Sequence, residues 1–156
     1  MPASTIAITT VGATVKYCVE TTAGTRPTTG YTELIGISSA PAIEMTPETI
    51  DVSTIKDLIT KYTQGRQDPG GTATFQLVHS EGAIEAWETS VTSATTGLAD
   101  GKKTWYEYCF PNATKSFFFA GVPLALGNGG IEQNAADLIP ANVIPNDVGG
   151  WLTAST

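Results

Sequence analysis

At 156 residues the chain has the size of one domain with room for a real core. Charged residues make up only 15%, against a usual share of about 25%, while hydrophobic residues hold an ordinary 41%. The net charge is −7 and the eight basic residues are scattered, which argues against a nucleic-acid binder, because holding a polyanion requires Lys and Arg to displace condensed counterions.

Threonine, at 25 residues, fills much of the space the charges leave, and it favours strands. The expected class is therefore mainly β. Low charge with abundant Thr and Gly suits a protein whose surface is covered by copies of itself, and equally an ordinary secreted β-domain.

In chain order, a first β region runs from Ile6 to Glu20, strongest at Val15, Tyr17 and Val19. The N-terminus MPASTIAITT lacks the basic stretch of a signal peptide, and no apolar run approaches the ~20 residues that span a bilayer. Assembly in a cytoplasm without a membrane partner is the expectation. Thr21 to Gly30 is a turn-rich loop without periodicity, and Tyr31 to Ile37 is a short apolar piece broken by Ser38-Ser39-Ala40-Pro41.

The stretch from Thr46 to Leu77 organises the rest. Thr49 to Ser53 alternates polar and apolar, as does Thr72 to Leu77, whose dry face carries Ala73, Phe75 and Leu77. The first of these strands is expected to span Ala42 to Ser53, with Pro47 marking a bulge or an edge. Between the two strands lies a long arm, 54–71, closed by the turn Asp68-Pro69-Gly70-Gly71. Hairpin loops usually hold 2–5 residues, and connections as long as this one are often functional. Ile55, Leu58, Ile59 and Tyr62 form an apolar stripe that a lone arm cannot bury in itself. It calls for a partner surface.

Glu48-Thr49-Ile50-Asp51-Val52-Ser53, then Tyr62, then Gly65-Arg66-Gln67-Asp68 with the Gly70-Gly71 turn, resembles the central stretch of the major tail tube proteins of long-tailed bacteriophages. The family pattern is an E-x-I-D-V-T/S strand, a long arm, a G-x-x-D-x-G turn and a second strand ending in Phe or Leu. Outside this stretch only the order of elements matches; Pro69 inside the turn and a C-terminal third rich in Pro and Asn depart from the pattern.

The resemblance implies a β-sandwich or barrel of the tail-tube type, with one helix over about 80–96 and the inter-strand arm over 54–71. Copies would form hexameric rings stacked into a tube that conducts DNA without specific binding. Ile55, Leu58, Ile59, Tyr62, Arg66 and Asp68 would contact neighbouring subunits. Glu44, Glu48, Asp51, Thr72, Thr74 and Gln76 would face the lumen. Further partners would be a tape measure, a tail terminator and a distal tail protein, and the site of action the virion tail.

After the central unit, Ser80 is a candidate N-cap for the helix, whose stripe is Ile84, Trp87, Val91 and Ala94; Thr95-Thr96-Gly97 is expected to end it. Asp100 to Lys103 turns into a strand over Thr104 to Phe110. In Lys115 to Leu126, the most hydrophobic strand, Phe118, Ala120, Val122, Leu124 and Leu126 share a face. Gly127 to Gly130 lacks the Gly-Lys-Ser/Thr of a phosphate loop and reads as a turn. Ile131 to Trp151 is expected to make one or two short strands, followed by a flexible end at about 150–156.

Catalytic signals are weak. His79 is the single histidine, and its neighbour Ser80 cannot face it as a nucleophile requires. Glu44, Glu48 and Asp51 form no calcium-loop pattern, so neither a metal, a cofactor nor an enzyme activity is expected. Cys18 and Cys109 are expected as free thiols; a bridge would require their strands to be neighbours. The competing reading is a monomeric β-sandwich carbohydrate-binding or adhesin-like module, with Trp105 and Trp151 as candidate exposed aromatics.

Overall fold

A computed structural model describes residues 10–156. Ile6 to Thr9, where the first expected β region begins, lie outside the described residues. Nine strands and one helix follow in order: β1 Thr14–Val19, β2 Thr32–Glu33, β3 Ile37–Ser39, β4 Thr46–Asp51, β5 Tyr62–Asp68, β6 Ala73–Val78, α1 Glu81–Ala99, β7 Thr104–Cys109, β8 Lys115–Pro123 and β9 Leu138–Thr153. Seven strands form one curled antiparallel sheet, a half-barrel in the order β2-β1-β7-β8-β9-β6-β3. The mainly β class with a single helix among the described residues is as expected. Among the described residues β4 and β5 pair only with each other and form a separate ribbon.

The core lies where α1 covers one face of the sheet. Period-2 alternation puts Ala73, Phe75 and Leu77 of β6 inward, and β9 answers across the ladder with Val143, Ala141 and Ile139. Phe75 therefore faces a small residue, Ala141, and its ring fills the space toward Trp87, with centroids 6.1 Å apart. Tyr106 and Phe119 stack at 5.2 Å beside them. Ser80 caps the helix by accepting a hydrogen bond from the Ala83 amide at 3.2 Å, and Trp87 is buried with its Nε1 donating to the Leu124 carbonyl at 2.9 Å.

Gly97 does not end the helix. It is buried against β1, and a Cβ there would sit 2.5 Å from Val19 Cγ1, so glycine permits the close approach of helix to sheet. Two residues, Asp100 and Gly101, close it instead: Gly101 takes φ +73°, and the Lys102 amide returns to the Gly97 carbonyl at 2.9 Å.

β8 is wet on neither face. Phe119 enters the main core, whereas Phe118 and Ala120 join Trp105 in a second cluster on the opposite side of the sheet. The strand stops at Pro123, so Leu124 and Leu126 lie beyond it.

The C-terminal region holds one long strand rather than two short ones. β9 pairs with β6 through Leu138 to Val143 and with β8 through Val143 to Thr153. Pro140 falls where only β6 is paired and Pro145 where only β8 is, so neither removes a needed donor from a two-sided ladder. Residues 150–153, placed at the expected flexible end, complete this strand.

The strands bearing the two cysteines are indeed neighbours. Their register sets Cys109 opposite Thr14 and Cys18 opposite Trp105. Four residues along a strand is about 13 Å, far beyond disulfide reach. Both thiols are free.

Candidate assembly surface: the projecting ribbon

The expected central unit is rearranged. The strand Thr46–Asp51 does not pair with Ala73–Val78 within the chain; it pairs with β5, which the arm itself supplies. β5 escaped the sequence pattern because Tyr62 to Asp68 is polar on both faces and carries no period-2 hydrophobic signal. The arm is therefore the return half of a β-hairpin, with Val52 to Lys61 as its tip. Pro47 sits at a bulge, as expected, where the register shifts between Pro47 and Thr49.

Every residue of β4 is exposed, and in β5 only Gly65 is half-buried. The cause at Gly65 is internal: Ile50 and Glu48 fold over it, and a Cβ there would meet Ile50 Cδ1 at 3.1 Å and the Glu48 carbonyl at 3.2 Å. An isolated two-stranded ribbon is marginal in water. This one is braced at its tip by polar atoms bonded locally. The Ser53 amide donates to Asp51 Oδ1 at 2.8 Å and the Lys61 amide to Ser53 Oγ at 2.7 Å. The Thr54 amide donates to Asp57 Oδ2 at 2.7 Å, while Lys61 Nζ lies 2.8 Å from Asp57 Oδ1. Lys61, with the Thr54 amide behind it, holds the Asp57 carboxyl below its ordinary range, and the Ser53 amide does the same for Asp51.

With these polar groups paired, the tip presents apolar side chains to water. Ile55 and Leu58 are as exposed as in an extended chain, at 106% and 101%, and Ile59 and Tyr62 are also largely exposed. Ile50 and Val52 are about half exposed on the ribbon as well, on the face that the alternation of Thr49 to Ser53 gives them, with Tyr62 on the other. Arg66 and Asp68 sit at the base, exposed, and Asp68 Oδ1 accepts from the Gly70 amide at 2.9 Å to shape the turn, with Gly70 at φ +97°.

The acids and the β6 polar face do not meet within the chain. Glu44 precedes β4 and is exposed. Glu48 shares the Gly65 face with Ile50, whereas Asp51 alternates to the other side, opposite Tyr62. Thr72 is exposed; Thr74 and Gln76 are half-buried on the β6 face opposite Phe75, and the Thr74 hydroxyl donates to Asn142 Oδ1 at 2.7 Å.

Elsewhere, His79 pairs with Asp137 through its Nδ1 and through its amide, 3.1 Å from the Asp137 carbonyl, while Ser80 is engaged as the helix cap. Trp105, a candidate exposed aromatic, is buried with its Nε1 donating to Glu20 Oε2 at 3.1 Å. Trp151 is exposed beside Phe117, with ring centroids 5.5 Å apart.

No family model and no curated protein matches the sequence. The fold, by contrast, is shared with solved structures. A chain in the cryo-EM structure of the anti-feeding prophage baseplate, six-fold symmetrised, superposes over the whole of both chains with a TM-score of 0.59 at 8% identity. A chain in the tail of an empty GTA particle, refined helically in C6 symmetry, matches 96% of this chain and all of its own length with a TM-score of 0.55 at 11% identity. The likeness is one of fold: a curled sheet with one helix, as found in these tail and baseplate particles.

Proposed function

We propose that the protein is a structural subunit of a phage tail, and specifically of the tail tube. Copies form six-membered rings that stack into a hollow conduit for DNA. The observation that carries this reading is the ribbon, a braced projection whose apolar tip nothing among the described residues covers. The shared fold supports it, since both similar structures are described with six-fold symmetry.

In this arrangement Ile55, Leu58, Ile59 and Tyr62 bury against the adjacent ring, with Arg66 and Asp68 at the rim of the contact. The free edges of β4 and β5 pair with strands of neighbouring copies, which satisfies backbone groups that one subunit leaves open. Glu44, Glu48, Asp51, Thr72, Thr74 and Gln76 line the lumen once neighbours bring the two polar groups together. A net charge of −7 keeps DNA from adhering to the wall. Tape measure, tail terminator and distal tail proteins are the further partners, and the assembled protein resides in the virion.

Negative-stain microscopy of concentrated protein tests this. Stacked annuli with a central hole are expected; dispersed single particles would favour the carbohydrate-binding or adhesin-like module, for which the exposed Trp151 remains the one observed feature.

A further inference from the structure

The sheet face opposite α1 carries its own cluster of Trp105, Phe118 and Ala120, with Tyr31 and Leu152 packed on it. Beside it on β7, Glu107 is fully buried. Among the described residues no cation lies within 4.0 Å of its carboxylate. Hydrogen-bond donors meet it instead. One is the Cys109 thiol, at Oε1. The other two belong to Ser155, whose amide donates to Oε2 at 3.3 Å and whose hydroxyl donates to Oε1 at 3.1 Å.

The residues flanking Ser155 tie down on either side. The Ala154 amide donates to the Thr114 carbonyl at 3.0 Å, in the turn between β7 and β8, and the Thr156 amide to the Thr28 carbonyl at 3.2 Å. Thr28 belongs to the loop that covers the cluster, where Arg26 stacks 4.3 Å from the Phe118 ring and the Tyr31 hydroxyl donates to Pro27 at 2.9 Å. Three consecutive residues thus join three separate parts of the fold across one buried acid.

We propose that residues 154–156 are a releasable strap: closed, they seal Glu107 beside the half-buried Cys109 and pin the loop at Thr28; open, they bare the acid–thiol pair to water and free that loop in one event. Two opposing forces make it bistable. Hydrogen bonds close the strap, yet it carries no large apolar side chain to anchor it. Glu107 favours the open state, because a polar carboxyl group is costly to bury and water would solvate it. Segments held this way open locally without global unfolding. The thiol is a sensitive reporter, since burial and then the Glu107 hydrogen bond push it up to about 11.

The test labels Cys109 with a disulfide reagent in a Cys18→Ser background, with hydrogen exchange followed in parallel at residues 21–30 and in α1. Ser155→Ala should raise native labelling by about two- to tenfold, the effect of losing one ordinary hydrogen bond. A chain ending at Thr153 should label faster still. Both should speed exchange at residues 21–30 and leave α1 protected. Glu107→Ala, which removes the acceptor that the Ser155 amide, the Ser155 hydroxyl and the thiol share, should raise labelling at least as far as Ser155→Ala and also leave α1 protected. If the shortened chain fails to fold, the two point variants decide. Equal labelling in all of them, or loss of α1 protection in step with labelling, would overturn the strap.

Discussion

Replacing Ile55, Leu58 and Ile59 together with serine separates what the ribbon does for the isolated fold from what it would do in the proposed assembly. Ile55 and Leu58 are fully exposed and Ile59 is 79% exposed, so the isolated fold gains almost nothing from their side chains. Surface changes of this kind move stability by no more than about 0.5 kcal/mol each, or a few degrees in all for a domain of this size. In a docked ring the same three side chains would be buried, at about 1.5–3 kcal/mol each. The gross loss is then about 5–9 kcal/mol per arm. If ordering and desolvation at the interface consume half of this, about 2–4 kcal/mol remains, a weakening of about 30- to 1,000-fold per contact. Differential scanning calorimetry measures the first quantity, and sedimentation with microscopy across a concentration series the second. The expected result is an unchanged melting temperature with tubes lost or shifted to far higher concentration. Normal tubes would refute the docking of the tip, and a melting temperature lowered by ten degrees or more would show that the tip packs on its own body.

Other substitutions probe the body. Phe75→Ala should cost about 3–5 kcal/mol, because Ala141 opposite cannot fill the space and the Trp87 and Tyr106 rings lose their partner; chemical denaturation reads this directly. Gly97→Ala should destabilise by about 1–3 kcal/mol through the clash with Val19, even though alanine is the better helix former. Glu20 gives a pH signature. Burial pushes its carboxyl up, but hydrogen bonds from the Lys103 amide, Trp105 Nε1 and the Gly24 amide outweigh that and hold it below its ordinary 4.5. Its contribution should therefore be complete above pH 4.5 and fade as pH falls through the lowered value. Denaturation of the protein and of Glu20→Gln across pH 3 to 7 should show curves that converge at the acid end; a constant gap would refute the assignment.

Much of the body is legible in the sequence because its signals are local. The alternation of Ala73, Phe75 and Leu77 against polar neighbours specifies a strand with one dry face, and Ser80 before the Ile84-Trp87-Val91-Ala94 stripe specifies a capped helix on that face. The apolar residues of the arm are equally plain, since nothing nearby in the sequence is available to cover them.

Pairing is a different matter. That Thr46–Asp51 bonds to Tyr62–Asp68 rather than to Ala73–Val78 turns on which backbone edges meet, and a polar strand such as β5 advertises none of this in its side chains. Register likewise decided the cysteines, whose strands adjoin while the thiols stand four residues apart. Gly97 is read as a helix stop from composition alone and becomes a contact point only when Val19 arrives from β1. Residue types along the chain thus determined which faces seek cover; what covers them, and which strand lies beside which, was decided by long-range packing that leaves no local trace.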